Sequence, residues 1–319
     1  MTGFKRAAAA VVLLMLPMAA VVLATPAYAA ANTAIQIPSG EVHFVAGDGQ
    51  ENHVTVTKLS GPAHVYRFDD VFPIVFNDIY PVSAGACTYP YPADATVMDC
   101  DHAATIISVR TGDLDDTINY RISLSWQLEA GDGNDTIRTG TGVGGPGNYT
   151  TGGAGNDMIY SGPGDEYLSG GAGVDTVSYA GRWTAVTANV GSGGGSVGED
   201  DAYQLIENLT GGGAADTLTG NDSANVLDGG YATTTCLPYP TIAAAPALPP
   251  CTSYSGDDTL TGEGGADTLF GRSGDDLLVG GAGYDSLDGG SGTGDFCYVN
   301  ADGGTKVGCE LPLFVAPPS

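Results

Sequence analysis

The sequence predicts an all-β fold, a parallel β-roll of stacked coils with a small N-terminal β domain or cap. Three observations predict it. Glycine and aspartate recur every nine residues through much of the C-terminal part of the chain. An apolar residue stands two places after most of those aspartates. Ahead of the array, short runs alternate apolar and polar residues between Gly, Pro, Asn and Asp, as half-buried strands do.

The elements follow in chain order. Residues 1–29 read as a secretory signal. Lys5 and Arg6 give a basic start, Ala7 to Val22 is apolar and broken by Pro17, and Ala27-Tyr28-Ala29 supplies the small residues for cleavage after Ala29. The competing reading is a membrane anchor over Ala7 to Ala24. Pro26 and the Ala-Tyr-Ala site favour removal. No later segment is long and apolar enough to span a bilayer, so a secreted, extracellular chain without a membrane span is expected.

Residues 30–110 carry ordinary strand character: Val42 to Val45, Val54 to Thr57 and Ile106 to Arg110. They are read as the N-terminal β domain or cap, with a loop between Cys87 and Cys100. From residue 111 to 295 the nine-residue unit takes over. Asp258, Asp267, Asp276 and Asp285 fall in step, followed by Leu260, Leu269, Leu278 and Leu287 and preceded by Gly256, Gly265, Gly274 and Gly283. An earlier block holds Asp135 with Gly133, Asp157 with Gly155 and Asp175 with Gly173; Thr111 to Asn119 fits loosely around Asp116. A middle block keeps Asp216 and replaces the next aspartate by Asn225. Insertions are read at 179–210 and 231–253, and residues 296–319 as a C-terminal disulfide cap and tail.

This composition has a chemical reading. Glycines let a backbone turn sharply and present its carbonyls. An aspartate beside those carbonyls completes a set of hard oxygen donors, the kind calcium takes six to eight at a time. One turn offers too few. Parallel strands about 4.8 Å apart bring matching turns of successive coils close enough to share an ion. Binding and folding then form one equilibrium.

Gly152 to Tyr160, Gly170 to Ser178 and Gly280 to Asp288 match Gly-Gly-x-Gly-x-Asp-x-apolar-x throughout. The chain thereby resembles the hemolysin-type (RTX) calcium-binding repeat family, over roughly Thr111 to Asp295 with gaps. The resemblance implies a right-handed coil of two repeats and several bound Ca2+ ions. It pairs Asp258 and Gly256 with Asp276 and Gly274, Asp267 and Gly265 with Asp285 and Gly283, and Asp157 and Gly155 with Asp175 and Gly173. Asp135, Asp116 and Asp216 are weaker candidates. Members with a C-terminal export signal usually lack cysteine. The N-terminal signal and six cysteines make this chain similar to Sec-exported members from Gram-positive actinobacteria. Glu166, Ala214 and Asn225 depart from the repeat, and weak or empty sites are expected there.

The cysteines fall as local pairs: Cys87 with Cys100, Cys236 with Cys251 and Cys297 with Cys309. Three short-loop disulfides suit an exported chain, although six cysteines allow fifteen pairings. The chain holds 37 acidic and 10 basic residues, a net charge of −27. That argues against nucleic acid and anionic membranes and for bound cations. Disorder is opposed by a hydrophobic fraction of 42%, regularly placed.

Other motifs carry little. Gly140 to Gly145 and Gly193 to Gly198 satisfy a dinucleotide fingerprint without a strand before and a helix after. Gly194 to Gly198 matches a hydrolase elbow around Ser196, yet His43, His53, His64 and His102 all precede it. The histidines form no metalloprotease motif. A non-enzymatic calcium-binding protein is therefore expected. The alternatives are an extracellular hydrolase or epimerase carrying the roll as an accessory module, and a calcium-stiffened adhesin or surface-layer component with a surface or matrix partner.

Overall fold

A computed structural model describes residues 33–37, 40–61, 64–76, 86–141, 148–230 and 256–310. The signal sequence, the Cys236–Cys251 pairing and the 231–253 insertion lie outside the described residues. Among the described residues every regular element is a strand, and no helix is long and apolar enough to cross a membrane.

The N-terminal part contributes β1 (Thr33–Gln36), β2 (Glu41–Val45), β3 (His53–Lys58), β4 (Val65–Asp69), β5 (Ile74–Phe76), β6 (Cys87–Thr88) and β7 (Val97–Asp101). The regular array opens with β8 (Ile106–Asp113) and β9 (Thr117–Tyr120). It continues through β10 (Ser125–Asp132), β11 (Thr136–Arg138), β12 (Tyr149–Ala154), β13 (Met158–Tyr160), β14 (Tyr167–Ala172) and β15 (Thr176–Ser178). A hairpin, β16 (Val186–Asn189) and β17 (Gly193–Ser196), precedes β18 (Ala202–Gln204) and β19 (Asn208–Thr210). The array ends with β20 (Thr217–Asn221), β21 (Val226–Asp228), β22 (Thr259–Glu263), β23 (Thr268–Phe270), β24 (Leu277–Val279), β25 (Asp285–Asp288), β26 (Phe296–Tyr298) and β27 (Gly304–Val307).

Successive strands of the array alternate between two faces. One face is a single 13-stranded sheet, running from β27 through β25, β23, β21, β19, β15, β13, β11, β9 and β3 to β4, β7 and β6. The other is split. An 8-stranded sheet holds β18, β14, β12, β10, β8, β2, β1 and β5, and a 6-stranded sheet holds β17, β16, β20, β22, β24 and β26. Neighbouring array strands are parallel, as stacked coils require.

The core follows from the repeat. Ile118, Ile137, Ile159, Val177, Leu209, Leu227, Leu269 and Leu287 stack in register and are buried. Leu218, Leu260, Leu278 and Cys297 do the same on the facing sheet. One apolar side chain per strand, worth about 1.5–3 kcal/mol when buried, makes a thin core. The N-terminal coils are thicker. Phe44 stacks on Phe68 with ring centroids 6.2 Å apart, and Trp126 packs on Tyr120 at 5.3 Å while its indole N–H donates to Thr150 Oγ1 at 3.1 Å.

Three predicted boundaries shift. β8 runs across the division at 110/111, and β2 and β3 pair in parallel with β8 and β9. The N-terminal region therefore supplies a coil of the roll itself. Its alternating strands lack the glycine signature, which hid their place in the stack. Within 179–210, only β17 departs from the coil pattern, turning back antiparallel on β16; β16 pairs in parallel with β20, and β18 and β19 pair with β14 and β15 as the next coil. At the far end β26 and β27 extend the roll beyond residue 295. The Cys87–Cys100 and Cys297–Cys309 disulfides are formed.

Candidate metal centre

Each nine-residue unit places its sixth residue where the turn meets the next strand, so equivalent acids stack into two rows. The row beside the 13-stranded sheet runs Asn52, Asp116, Asp135, Asp157, Asp175 and Glu207, then Asn225, Asp267 and Asp285. Backbone N–H groups link it. Asp116 donates to Asp135 Oδ1 at 2.7 Å, Asp135 to Asp157 at 2.8 Å, Asp157 to Asp175 at 2.8 Å and Asp267 to Asp285 at 3.1 Å. On the opposite side Asp216 donates to Asp258 at 2.7 Å, Asp258 to Asp276 at 2.8 Å and Asp276 to Asp295 at 2.9 Å. The structure thus brings together the pairs Asp157 with Asp175, Asp258 with Asp276 and Asp267 with Asp285, each eighteen residues apart.

The second oxygen of these carboxylates decides the chemistry. Oδ2 of Asp116, Asp135, Asp157, Asp175, Asp267, Asp276, Asp285 and Asp295 is buried and accepts no hydrogen bond from the described residues. Each of these aspartates is at most 2% exposed. A buried carboxylate oxygen without a partner is costly unless a cation or a proton compensates it.

The glycines make room for this arrangement. A Cβ on Gly152 would stand 2.0 Å from Asp157 Oδ2, and one on Gly271 2.4 Å from Asp276 Oδ2. The first glycine of the unit is thus the floor under the carboxylate. At the fourth position, Gly155 (φ +133°) and Gly283 (φ +130°) let the carbonyls of Gly133 and Gly265 approach to 1.8 and 1.6 Å of where a Cβ would be. Gly173 and Gly274 meet the carbonyls of Gly155 and Gly256 in the same way. Ala214 keeps its carbonyl in this row, beneath Gly256. Leu114, Leu205, Glu263 and Arg272 have positive φ without being glycine, and each sits at the second or fourth place of a unit. The stack imposes that backbone whatever the side chain, at a cost of about 1–3 kcal/mol each.

Burial raises the acids' pKa values. Asp116, Asp175, Asp216, Asp267 and Asp276 are pushed from 3.8 to about 6 and Asp135 to about 7, chiefly by desolvation. Asp258 reaches about 8, through desolvation and then the like charges of Asp216, Asp276 and Asp257. Among the described residues no three His, Cys, Asp or Glu side chains converge on one point. The donor set is therefore mixed: carboxylate oxygens from successive coils with backbone carbonyls between them. Such a set suits a hard cation of calcium's type.

Two departures from the repeat have distinct outcomes. Asn225 turns its amide toward the row and donates Nδ2–H to the Glu207 carbonyl at 2.7 Å, a donor where a cation would need an acceptor. Glu166 is buried and accepts from Thr139 Oγ1 at 2.8 and 2.9 Å. Its neighbour Asp201 accepts from the Glu166 N–H, Ser161 Oγ and the Tyr179 hydroxyl at 3.0, 3.1 and 2.8 Å. Sequence reading passed over Asp201, Glu207, Asp295 and Glu310. Glu207 follows a turn without glycine, Asp201 follows the β16–β17 hairpin rather than a repeat turn, and Asp295 lies nineteen residues after Asp276, one step out of phase.

The hydrolase-elbow residues and two of the histidines have other partners. Gly193 to Ser196 forms β17, and Ser196 Oγ accepts from Thr184 Oγ1 at 3.1 Å. His43 pairs with Glu41 at 2.6 Å, and the His53 N–H donates to Asp70.

A family model described as RTX calcium-binding nonapeptide repeat (4 copies) matches residues 127–150, 143–177, 204–230, 253–287 and 270–293. No curated protein matches the chain. The matched segments hold Asp135, Asp157, Asp175, Asp267, Asp276 and Asp285 of the buried carboxylates, while Asp116 and Asp295 lie outside them. The chain carries RTX calcium-binding nonapeptide repeats, wound into a parallel β-roll.

Proposed function

We propose that the protein is an exported, non-enzymatic calcium-binding protein whose roll completes its folding when it meets extracellular calcium. The observation that supports this is the two rows of buried aspartates, in which eight Oδ2 atoms find no donor among the described residues. Asp116, Asp135, Asp157, Asp175, Asp267 and Asp285 would hold ions on one side of the roll, and Asp258, Asp276 and Asp295 on the other. When bound, calcium supplies the positive charge these carboxylates lack.

The chain's own residues prepare for it. Backbone N–H groups fix one oxygen of each carboxylate, which orients the other. Glycines hold the adjoining carbonyls in line. The thin leucine stack is too small to keep so many carboxylates buried and charged unaided. In the cytosol the uncompensated acids would keep the repeats from closing, which suits passage through an export channel. Outside, extracellular modules bind calcium at about 10⁻⁴ to 10⁻³ M, in the range of the calcium available there. The N-terminal signal and the disulfides support that setting.

Calorimetry and circular dichroism on residues 30–319 test the proposal. Calcium at millimolar concentration should bind with a stoichiometry of several ions and increase the β signal. A chain that takes up no calcium, or whose spectrum a chelator leaves unchanged, refutes it.

A further inference from the structure

We propose that the chain holds one more calcium site, outside its repeats, built by Asp295 and Glu310 and locked by the Cys297–Cys309 disulfide. The inference rests on the calcium reading above and extends it to residues that the repeat pattern does not reach. The matched segments end at residue 293.

The backbone continues the row one rung further than the sequence period does. In each rung the residue after the acid donates its N–H to the carbonyl of the acid one coil earlier. Thr259 donates to Asp216 and Leu277 to Asp258 at 2.8 Å, and Phe296 to Asp276 at 2.7 Å. Glu310 makes the same bond to Asp295 at 2.7 Å. Its main chain thus stands one place beyond an acid position. Its side chain, one methylene longer than aspartate, reaches back to fill that position. The Asp295 N–H donates to Glu310 Oε2 at 2.5 Å, just as the Asp276 N–H donates to Asp295 Oδ1 at 2.9 Å.

The carbonyl row continues as well. A Cβ on Gly229 would meet Gly271 O at 2.8 Å, one on Gly271 would meet Gly289 O at 2.6 Å, and one on Gly289 would meet Gly308 O at 2.5 Å. Gly308-Cys309-Glu310 therefore does with three residues what a whole repeat turn does elsewhere. Cys309 pins that short segment to Cys297, next to Phe296, the residue that bridges to Glu310.

An independent observation points to a ligand. Asp295 is 1% exposed and its Oδ2 has no partner. The nearby Lys306 ammonium donates to the Cys297 carbonyl at 3.2 Å rather than to either carboxylate. Asp295, Glu310 and the Gly308 carbonyl form a hard-oxygen set, and calcium is the cation it fits.

The test counts calcium ions on the secreted chain by calorimetry and follows the Asp295 and Glu310 amides by hydrogen exchange in saturating calcium. Glu310→Gln and Glu310→Asp should each lose one ion and the protection of these amides, with the remaining sites intact. Glu310→Asp keeps the charge and loses the reach, so its failure separates ligation from general electrostatics. Cys297→Ser with Cys309→Ser should lose the same ion. Wild-type stoichiometry and protection in both Glu310 variants overturn the terminal site alone. No uptake by the unaltered chain overturns it together with the calcium reading.

Discussion

The two sides of the same coils solve one problem differently. Beside the 13-stranded sheet, Asp116, Asp135, Asp157 and Asp175 bury carboxylate oxygens that no donor among the described residues satisfies. Across the same coils, beside the 8-stranded sheet, Glu166 and Asp201 are equally buried, yet Thr139, Ser161 and Tyr179 supply hydroxyl donors. Arg182 joins them, bound to Glu199 at 2.7 Å and to the Gly162 carbonyl. The uncompensated carboxylates therefore belong to a side of the coil and not to the coil as a whole. A stretch of the roll can replace the ion with neutral donors and one internal cation, provided its turns are long enough to carry them.

The largest effect should come from chelation. With calcium removed at neutral pH, amide exchange should rise most in residues 217–230 and 256–307, where single leucines form the core. It should rise least in residues 40–60 and 97–130, where Phe44, Phe68, Tyr120 and Trp126 pack together. Uniform loss across the chain would break the comparison.

Proton concentration should act next, with opposite signs in the two states. Without calcium, the folded-state pKa values of about 6 to 8 lie above the ordinary 3.8. A group raised in this way stabilises the fold fully below its unfolded value, and that contribution is lost as pH rises through 6 to 8. In chelator, thermal stability should thus climb as pH falls from 8 to 5. In saturating calcium it should fall over the same range, because protons compete for the ligands. Parallel pH profiles would sink the assignment.

A smaller change should follow Thr139→Val, which strips the hydroxyl from buried Glu166. It should cost about 1–3 kcal/mol in denaturant titration and leave the calcium count unchanged. Loss of an ion in this variant would mean that the satisfied side also ligates metal. The smallest effect belongs to Asp113→Ala. Asp113 occupies the third position and accepts a bond from the Gly49 N–H. Calcium uptake should be unaltered, whereas Asp276→Ala should reduce it.

Legibility in the sequence followed the period. Eighteen-residue pairs such as Asp157 with Asp175 could be read directly, because two units make one coil. The glycine spacing also located the turns. What escaped were rungs reached over long or irregular steps. Asn52 meets Asp116 across 64 residues, a separation no repeat search links. The Glu166 cluster draws Thr139 and Asp201 from 27 and 35 residues away, and their hydroxyl and carboxyl chemistry carries no periodic mark. Glu310 was hidden because its side chain, not its place in the chain, completes the row.

The placement of the two disulfides has a mechanical consequence. β6 and β27 are the outermost strands of the 13-stranded sheet. Cys87 lies in β6 and is tied to β7, while the bond from Cys297 to Cys309 brackets β27. Stacked arrays unravel from their ends, and bare terminal strands recruit other chains. Here both ends of the long sheet are covalently stitched, so neither outermost strand can be pulled from the roll by force without carrying its disulfide partner with it.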